Sequence, residues 1–445
     1  MTQISSLARA MASTAGTMKG ARRAVYLALI SGVARAPGFL IPILIAAYYG
    51  AGPRTDAYFI VYSAALFIGG TVAQGIEVAI VPFAARAIAS GRRAAAGFLD
   101  GTALRTSLAA GLAWVVGAPL VVWASQKGLH HEVAVYGICF APLVILWNTS
   151  SVYCGGLVSQ DAIGLAIGSA LWRGAGGVAA IVLAPHDTGL EAVPVGLAAG
   201  ELARAWWLRE RVLKRLPETS ALSQTRSQQF GSAAAAQVLA GAAGGSVGVA
   251  ERFLAATLGA GAVSHLEYAS RLLVIPGLVF DGALAPLLLS RWSQAVATRG
   301  VLPARTEVVR ALAKGMGVAL AIAALTYGLA GEAVSLFLHH GRFMEADAVA
   351  VTSLLRLLAL GYVGSMGAVL LERYYLARAK NRLLAALSVA RFSLRVGTAL
   401  LLLPAFGLLA FGFGFAAAEY GYLTALLVAL PSKAITPVRS GAPQS

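Results

Sequence analysis

Six arginines of this 445-residue chain stand within apolar runs long enough to cross a bilayer: Arg35, Arg173, Arg271, Arg356, Arg391 and Arg395. Arg35 is the clearest, with about eleven residues of the run Ala24 to Tyr49 before it and about fourteen after. A charged side chain near the bilayer centre costs about 2.5–3.5 kcal/mol on insertion scales, so it turns toward a cavity or a partner. The chemistry such arginines can do is anion binding. No catalytic constellation accompanies them. The sequence has no Gly-x-x-x-x-Gly-Lys-Ser/Thr phosphate loop, no metal-ligand cluster and no nucleophile elbow. It reads as a transporter and not an enzyme, with no cofactor or metal expected.

The neighbours of these arginines refine that reading. Arg35 is the lone charge of its run, with Pro37 and Pro42 nearby, and proline-kinked helices often line transport paths. Glu267 precedes Arg271 by four residues and shares its helix face. Arg391 and Arg395 also share a face, where two like charges need an anion or carboxylates opposite; Glu419 is a candidate counter-charge. Snorkelling to the interface is the rival reading for Arg391. Glu77 and Asp281 lie in equivalent runs of the two halves. Each is either a proton carrier for coupled transport or a partner of Arg35 and Arg271. The candidate substrate-binding residues are therefore Arg35, Arg271, Arg391 and Arg395, and the ion-pair or coupling candidates are Glu77, Glu267, Asp281 and Glu419. Glu201 and Arg204, beside Trp206 and Trp207, are expected to form an interfacial anchor. His339 and His340, near Arg342 and Glu345, are expected in a solvated loop.

The elements that must position these residues are membrane helices. Hydrophobic residues make up 58% of the chain and charged residues 12%, against about 25% charged in soluble domains; the mean hydropathy is +0.75. The fold class is an all-α polytopic membrane protein. Twelve spans are expected, at roughly 24–49, 57–83, 103–125, 133–157, 162–184 and 189–208, then 232–257, 264–290, 310–337, 347–371, 383–404 and 408–430. The net charge of +16 falls in alternate loops, which speaks for membrane topology and against nucleic acid. One set of loops carries Arg22, Arg23, Arg92, Arg93, Arg211, Lys214, Arg299, Arg378 and Arg382; the other holds only Arg54, Lys127, Arg252 and Arg342. The positive-inside rule puts both termini in the cytoplasm. The polar stretch 209–231 divides the chain, giving a cytoplasmic segment 1–23, an N-lobe 24–208, a linker 209–231, a C-lobe 232–430 and a cytoplasmic tail 431–445. Six helices per lobe imply halves of the same orientation, related by an axis along the membrane normal. Cys139 and Cys154 fall on one expected helix, roughly 22 Å apart, too far for a disulfide.

An internal repeat supports that division. Gly50-Ala51-Gly52 and Gly259-Ala260-Gly261 end the first and seventh spans, and each precedes a hydroxyl residue and an aromatic, Thr55 and Phe59 against Ser264 and Tyr268. The segments Arg35-Ala-Pro-Gly-Phe39 and Gly50-Ala-Gly-Pro-Arg-Thr-Asp-Ala-Tyr-Phe59, with Ile80-Val-Pro82, resemble the MurJ/MviN lipid II flippase family. So do Glu251-Arg-Phe-Leu-Ala255, Tyr268-Ala-Ser-Arg-Leu272 with Pro276, Gly341-Arg-Phe343 and Arg373-Tyr-Tyr375. The resemblance implies the fold of the multidrug/oligosaccharidyl-lipid/polysaccharide exporter superfamily, two six-helix lobes forming a V around a cationic cavity. It also implies alternating access that carries a lipid-linked sugar diphosphate between leaflets. Arg35 and Arg271 match family cavity arginines. A second arginine of the first helix falls at Ile41, and an arginine pair of the second helix is replaced by Gly69-Gly70. The acidic and Asn positions that bind sodium in some members have no counterpart on the seventh and eleventh spans, where Arg395 intrudes. Two further C-terminal helices common in the family are not expected here. The resemblance makes the bacterial cytoplasmic membrane the expected location. Expected partners are membrane lipids, a lipid-linked saccharide diphosphate and enzymes of cell-wall or polysaccharide synthesis. The leading reading is a flippase for a polyprenyl-diphosphate-linked saccharide such as a lipid II-like peptidoglycan precursor. Its rivals are an exopolysaccharide or O-antigen flippase, a cation-coupled drug exporter and a non-transporting membrane scaffold.

Overall fold

The structure is a computed structural model that describes residues 26–27, 29–184, 189–216, 228–279, 292, 305–378 and 380–430. Among these residues every regular element is helical. The first half comprises α1 (Leu29–Tyr49), α2 (Pro53–Ala65), α3 (Thr71–Ala89), α4 (Arg92–Ala124), α5 (His130–Ser159), α6 (Ile163–Gly168), α7 (Ala170–Leu183) and α8 (Ala192–Lys214). The second comprises α9 (Gln228–Ala256), α10 (Ala262–Val279), α11 (Arg305–Gly328), α12 (Ala330–Phe337), α13 (Glu345–Ala377), α14 (Asn381–Phe406) and α15 (Ala410–Val428). Lipid offers no hydrogen bonds to a bare backbone, so an apolar run of this length must satisfy its own peptides as helix.

The described residues of each of the twelve expected spans are mainly helical, residues 280–290 of the eighth lying outside them, and the irregularities are local. A π-helical turn, Leu66–Gly70, joins α2 to α3 within the second span; Ser169 and Leu329 interrupt the fifth and ninth. Helices overrun the expected ends: α4 starts at Arg92, and α8 and α9 extend into the stretch 209–231, to Lys214 and from Gln228. Eight stretches among the described residues are long and apolar enough to cross a membrane, the last of which, Arg382–Val428, carries two helices. Gly50 and Gly259 end their helices at φ of 70° and 111°, a left-handed conformation that costs glycine little.

In the first half α5 is central, packed by α3, α4 and α8, with α7 against α8. In the second, α13 is central, flanked by α11 and α15, with α14 on α15. The halves meet where α2 and α3 pack on α9 and α2 packs on α10. The face of α4 turned away from the core exposes Leu104, Leu108, Leu112, Val115, Val116, Leu120 and Trp123, as a lipid-facing helix should. Cys139 and Cys154 are both free and both on α5.

Candidate functional site

Between the halves lies a cavity of about 1270 Å³ lined from α1, α2, α3, α5, α6, α7, α8, α9 and α10. Five arginines reach it, Arg35, Arg173, Arg204, Arg252 and Arg271, with Glu77 and Glu267. Glu201 stands directly behind Arg204 and Arg173. Five cations against these three carboxylates leave the site at a net +2.

The N-half cluster is made by glycine packing. A Cβ at Gly176 would fall 2.3 Å from the carbonyl oxygen of Gly196, and one at Gly200 would fall 2.4 Å from that of Trp172. Gly196 and Gly200 are four apart on α8, so α7 and α8 touch backbone to backbone in the small-xxx-small manner of membrane helices. This contact brings Arg173 and Arg204 to one carboxylate. Arg204 Nη1 donates to Glu201 Oε1 at 2.9 Å, Nε donates to Ser169 Oγ at 3.0 Å, and Ser150 Oγ donates to Glu201 Oε1. Arg173 Nη1 lies 3.7 Å from Glu201 Oε2 and makes no hydrogen bond. Its guanidinium stacks 4.0 Å over the Trp147 ring. Glu201 and Arg204 are therefore not an interfacial anchor: both are buried, Glu201 fully. The adjacent tryptophans suggested an interface, whereas the glycine spacing on α8 was the signal for burial.

On the C-half side Glu267 is shared. Arg271 Nε donates to Glu267 Oε1 at 2.5 Å, and Arg252 Nη2 donates to Glu267 Oε2. Arg252 Nε is buried without a hydrogen-bond partner. The loop position expected for Arg252 is thus corrected, since α9 continues past it to Ala256. The Glu267–Arg271 spacing does produce the i,i+4 pair, and the Arg271 guanidinium also lies 5.6 Å from the Tyr62 ring centre. Arg35 and Glu77 line the cavity without an ion pair or hydrogen bond among the described residues. Asp281 lies outside the described residues.

Three sequence candidates are engaged elsewhere. Arg391 donates to Glu419 from Nε at 3.0 Å and from Nη2 at 2.6 Å, with Glu372 at 3.6 Å. Arg395 donates to Glu251 through Nε at 2.6 Å and Nη2 at 2.9 Å. Neither Arg391 nor Arg395 lines the cavity. These are bonds between helices of the second half, α14 to α15, α13 and α9, and they answer how two like charges share one face. Arg391 is held by carboxylates and does not snorkel, and Glu419 bonds directly to Arg391 and not to Arg395. Arg356 is exposed against Tyr327, on the outer surface of the bundle. His339 lies 3.4 Å from Glu345 in an exposed turn.

The cavity is sealed at the Gly-Ala-Gly end, where the two halves of the repeat meet. Asp56 accepts from Gly261 N at 2.6 Å, Ser264 N at 2.8 Å and Ser264 Oγ at 2.6 Å. Thr55 and Ser264, equivalent residues 209 positions apart, are hydrogen-bonded at 2.8 Å. Phe59 and Tyr268, also equivalent, meet edge to face at 5.5 Å, and Tyr268 donates to Gly50 O at 2.9 Å. Repeat mates that touch each other define a pseudo-two-fold axis passing through this seal. From there the lining runs to Val158 and Ile163, at the α5–α6 turn of the opposite end.

Comparison with known proteins agrees with this architecture. The family description "Lipid II flippase MurJ" matches residues 45–441. A solved structure of the lipid II flippase MurJ in an inward closed conformation superposes with a TM-score of 0.77 at 14% identity, covering 91% of this chain and 87% of that one. An inward-facing multidrug resistance MATE transporter of the MOP superfamily gives 0.71 at 14% identity over 91% and 96%. An outward-facing one gives 0.66 at 16% identity over 91% and 94%. No curated relative matches the sequence. These likenesses below 25% identity carry the fold, and the match over nearly the whole chain carries the family. The chain is a multi-pass membrane protein and belongs to the MurJ lipid II flippase family.

Proposed function

We propose that this protein flips a polyprenyl-diphosphate-linked saccharide, a lipid II-like precursor, from the inner to the outer leaflet of the bacterial cytoplasmic membrane. Both termini lie in the cytoplasm in this reading, as the basic loops require, and the sealed Gly-Ala-Gly end faces outward. The observation that carries it is the net +2 cavity in which Arg35 has no hydrogen-bond or ion-pair partner among the described residues and Arg173 Nη1 and Arg252 Nε have unused donors. A diphosphate supplies the missing acceptors as charge-assisted hydrogen bonds. Arg173 takes the place of the arginine pair that Gly69 and Gly70 lack. A Cβ at Gly70 would lie 3.3 Å from Trp147, so the glycine lets that ring come close enough to hold Arg173 over it.

Substrate enters from the basic end, the lipid chain stays in the bilayer, and the halves rock about the pseudo-two-fold axis once Asp56 releases Gly261 and Ser264. Glu77, which makes no hydrogen bond or ion pair among the described residues, is the carboxylate available for proton coupling. The membrane potential, worth about 2.3 kcal/mol per charge per 100 mV, assists resetting. A drug exporter for cations would need an acidic cavity, and Glu267 here is already neutralised by two arginines.

The test is rescue of a bacterium depleted of its own lipid II flippase. The wild-type chain is expected to restore growth, and Arg35→Ala and Arg271→Ala to abolish it at equal membrane abundance. Rescue that survives both substitutions sinks the arginine mechanism. Failure of the wild type, with an exopolysaccharide flippase mutant rescued instead, moves the substrate to another saccharide lipid.

A further inference from the structure

One of the six in-span arginines is engaged neither by the cavity nor by a carboxylate. Arg356 of α13 is exposed, and among the described residues it has only the Tyr327 carbonyl oxygen, 3.4 Å from Nε, and the Tyr327 ring, whose centre lies 5.7 Å from the guanidinium carbon. It stands about eleven residues into α13, roughly 16 Å from the start at Glu345. That places it inside a stretch long and apolar enough to cross a membrane. A charge turned toward hydrocarbon at such a depth is costly and calls for a counter-charge.

The same surface carries that counter-charge. Glu332 of α12 is exposed and makes no hydrogen bond or ion pair among the described residues. It follows Tyr327 by about five residues, roughly 8 Å along the helix, so it stands nearer the Gly-Ala-Gly end than Arg356 does. Helical side chains lean toward the N-terminus of their own helix. The α13 helix starts at the Gly-Ala-Gly end, where Asp347 meets His265, and α12 runs toward that end. Arg356 therefore leans toward it, Glu332 leans away from it, and the two charges converge on one depth. Around them Leu325, Leu329, Leu336, Phe337, Val349 and Leu360 are exposed. No residue of α11, α12 or α13 lines the transport cavity.

We propose that α11, α12 and α13 form a contact with a second copy of this chain inside the membrane, Arg356 of each copy pairing with Glu332 of the other. Copies of one membrane protein share their orientation, so the two-fold axis lies along the membrane normal and keeps every residue at its own depth. A two-fold contact needs a patch complementary to itself, in which two residues exchange partners. One arginine and one glutamate on an otherwise apolar surface supply that exchange. The contact belongs to the second half alone, so the first half stays free to rock against it, whichever saccharide lipid is carried.

The test is Förster energy transfer between donor- and acceptor-tagged full-length copies in phosphatidylcholine vesicles, with the protein progressively diluted in lipid. The wild type is expected to associate. Arg356→Glu on every copy sets carboxylate against carboxylate twice, and Glu332→Arg sets guanidinium against guanidinium twice. Each should weaken self-association by about tenfold or more, since like charges placed together suppress a partner. A donor carrying Arg356→Glu mixed with an acceptor carrying Glu332→Arg rebuilds both opposite-charge pairs and should recover wild-type association. Pairing within one chain cannot produce that recovery. Arg356→Gln and Glu332→Gln remove a charge without adding repulsion, and each should weaken association to a smaller extent. A wild type that stays monomeric in the vesicles overturns the proposal. So does a mixed pair no tighter than either variant with itself, or wild-type association in both glutamine variants.

Discussion

Arg395 and Arg35 show two fates of an arginine inside a membrane helix. Arg395 is bound bidentately by Glu251, whose side chain is 3% exposed, whereas Arg35 has no partner among the described residues and faces the cavity. Removing one partner of a buried pair strands the other charge and costs about 3–5 kcal/mol, while replacing both by apolar residues is often neutral. Arg395→Ala is therefore expected to lower the melting temperature of the purified protein markedly, and Arg395→Leu combined with Glu251→Leu to recover most of it. If the single variant melts like the wild type, the pair is not structural. The sequence alone could not separate these two arginines, because both occupy apolar runs and the difference is a carboxylate 144 positions away. Glu267 and Arg271 were legible because their partnership is local, four residues along one helix. Arg204 and Arg252 were hidden for the opposite reason. Both lie near expected span ends, where composition suggested an interface or a loop, yet α8 continues through Arg204 to Lys214 and α9 through Arg252 to Ala256.

At the scale of elements, the α7–α8 contact decides whether the N-half arginine cluster exists. Gly176, Gly196 and Gly200 let the two backbones touch, and that touch delivers Arg173 and Arg204 to Glu201. Gly200→Val would place its Cβ 2.4 Å from the Trp172 carbonyl oxygen and 2.9 Å from Arg173 Cα, both backbone atoms that cannot swing away. The helices must separate, and overpacking of this kind costs about 1–3 kcal/mol or more. The variant is expected to give low, polydisperse yield in size-exclusion chromatography, or, where it folds, to lose rescue activity. Normal folding together with normal rescue would show that the cluster does not depend on this contact. The helices themselves were legible from apolar length, since lipid leaves a long apolar run no alternative. Their breaks at Leu66–Gly70, Ser169 and Leu329 were not. A break depends on which neighbour packs against it, as Trp147 does against Gly70, and hydropathy carries no record of that.

For the whole molecule, the repeat written in the sequence as two Gly-Ala-Gly segments is also the place where the halves hold each other. Asp56 concentrates that hold by accepting three hydrogen bonds from the start of α10. Its repeat mate is His265, which instead bonds Asp347 within the second half at 2.8 Å. The seal is therefore asymmetric in chemistry although symmetric in position, and one side chain carries the part that can be removed. Hydrogen bonds to a charged acceptor are worth about 1.5–3 kcal/mol each, and a total loss of even about 3 kcal/mol shifts a two-state equilibrium by roughly two orders of magnitude. Asp56→Ala should thus populate an arrangement open at the Gly-Ala-Gly end. Spin labels at Ala51 and Ala260, in a background with Cys139 and Cys154 replaced by alanine, report it directly by pulsed dipolar spectroscopy. The wild type is expected to give one short distance and Asp56→Ala a second, longer one, with Asp56→Asn between them because its amide oxygen still accepts. An unchanged single distance in Asp56→Ala would mean that apolar contacts such as Phe59 on Tyr268 keep the halves closed, and that release of Asp56 is not the step that opens the cavity.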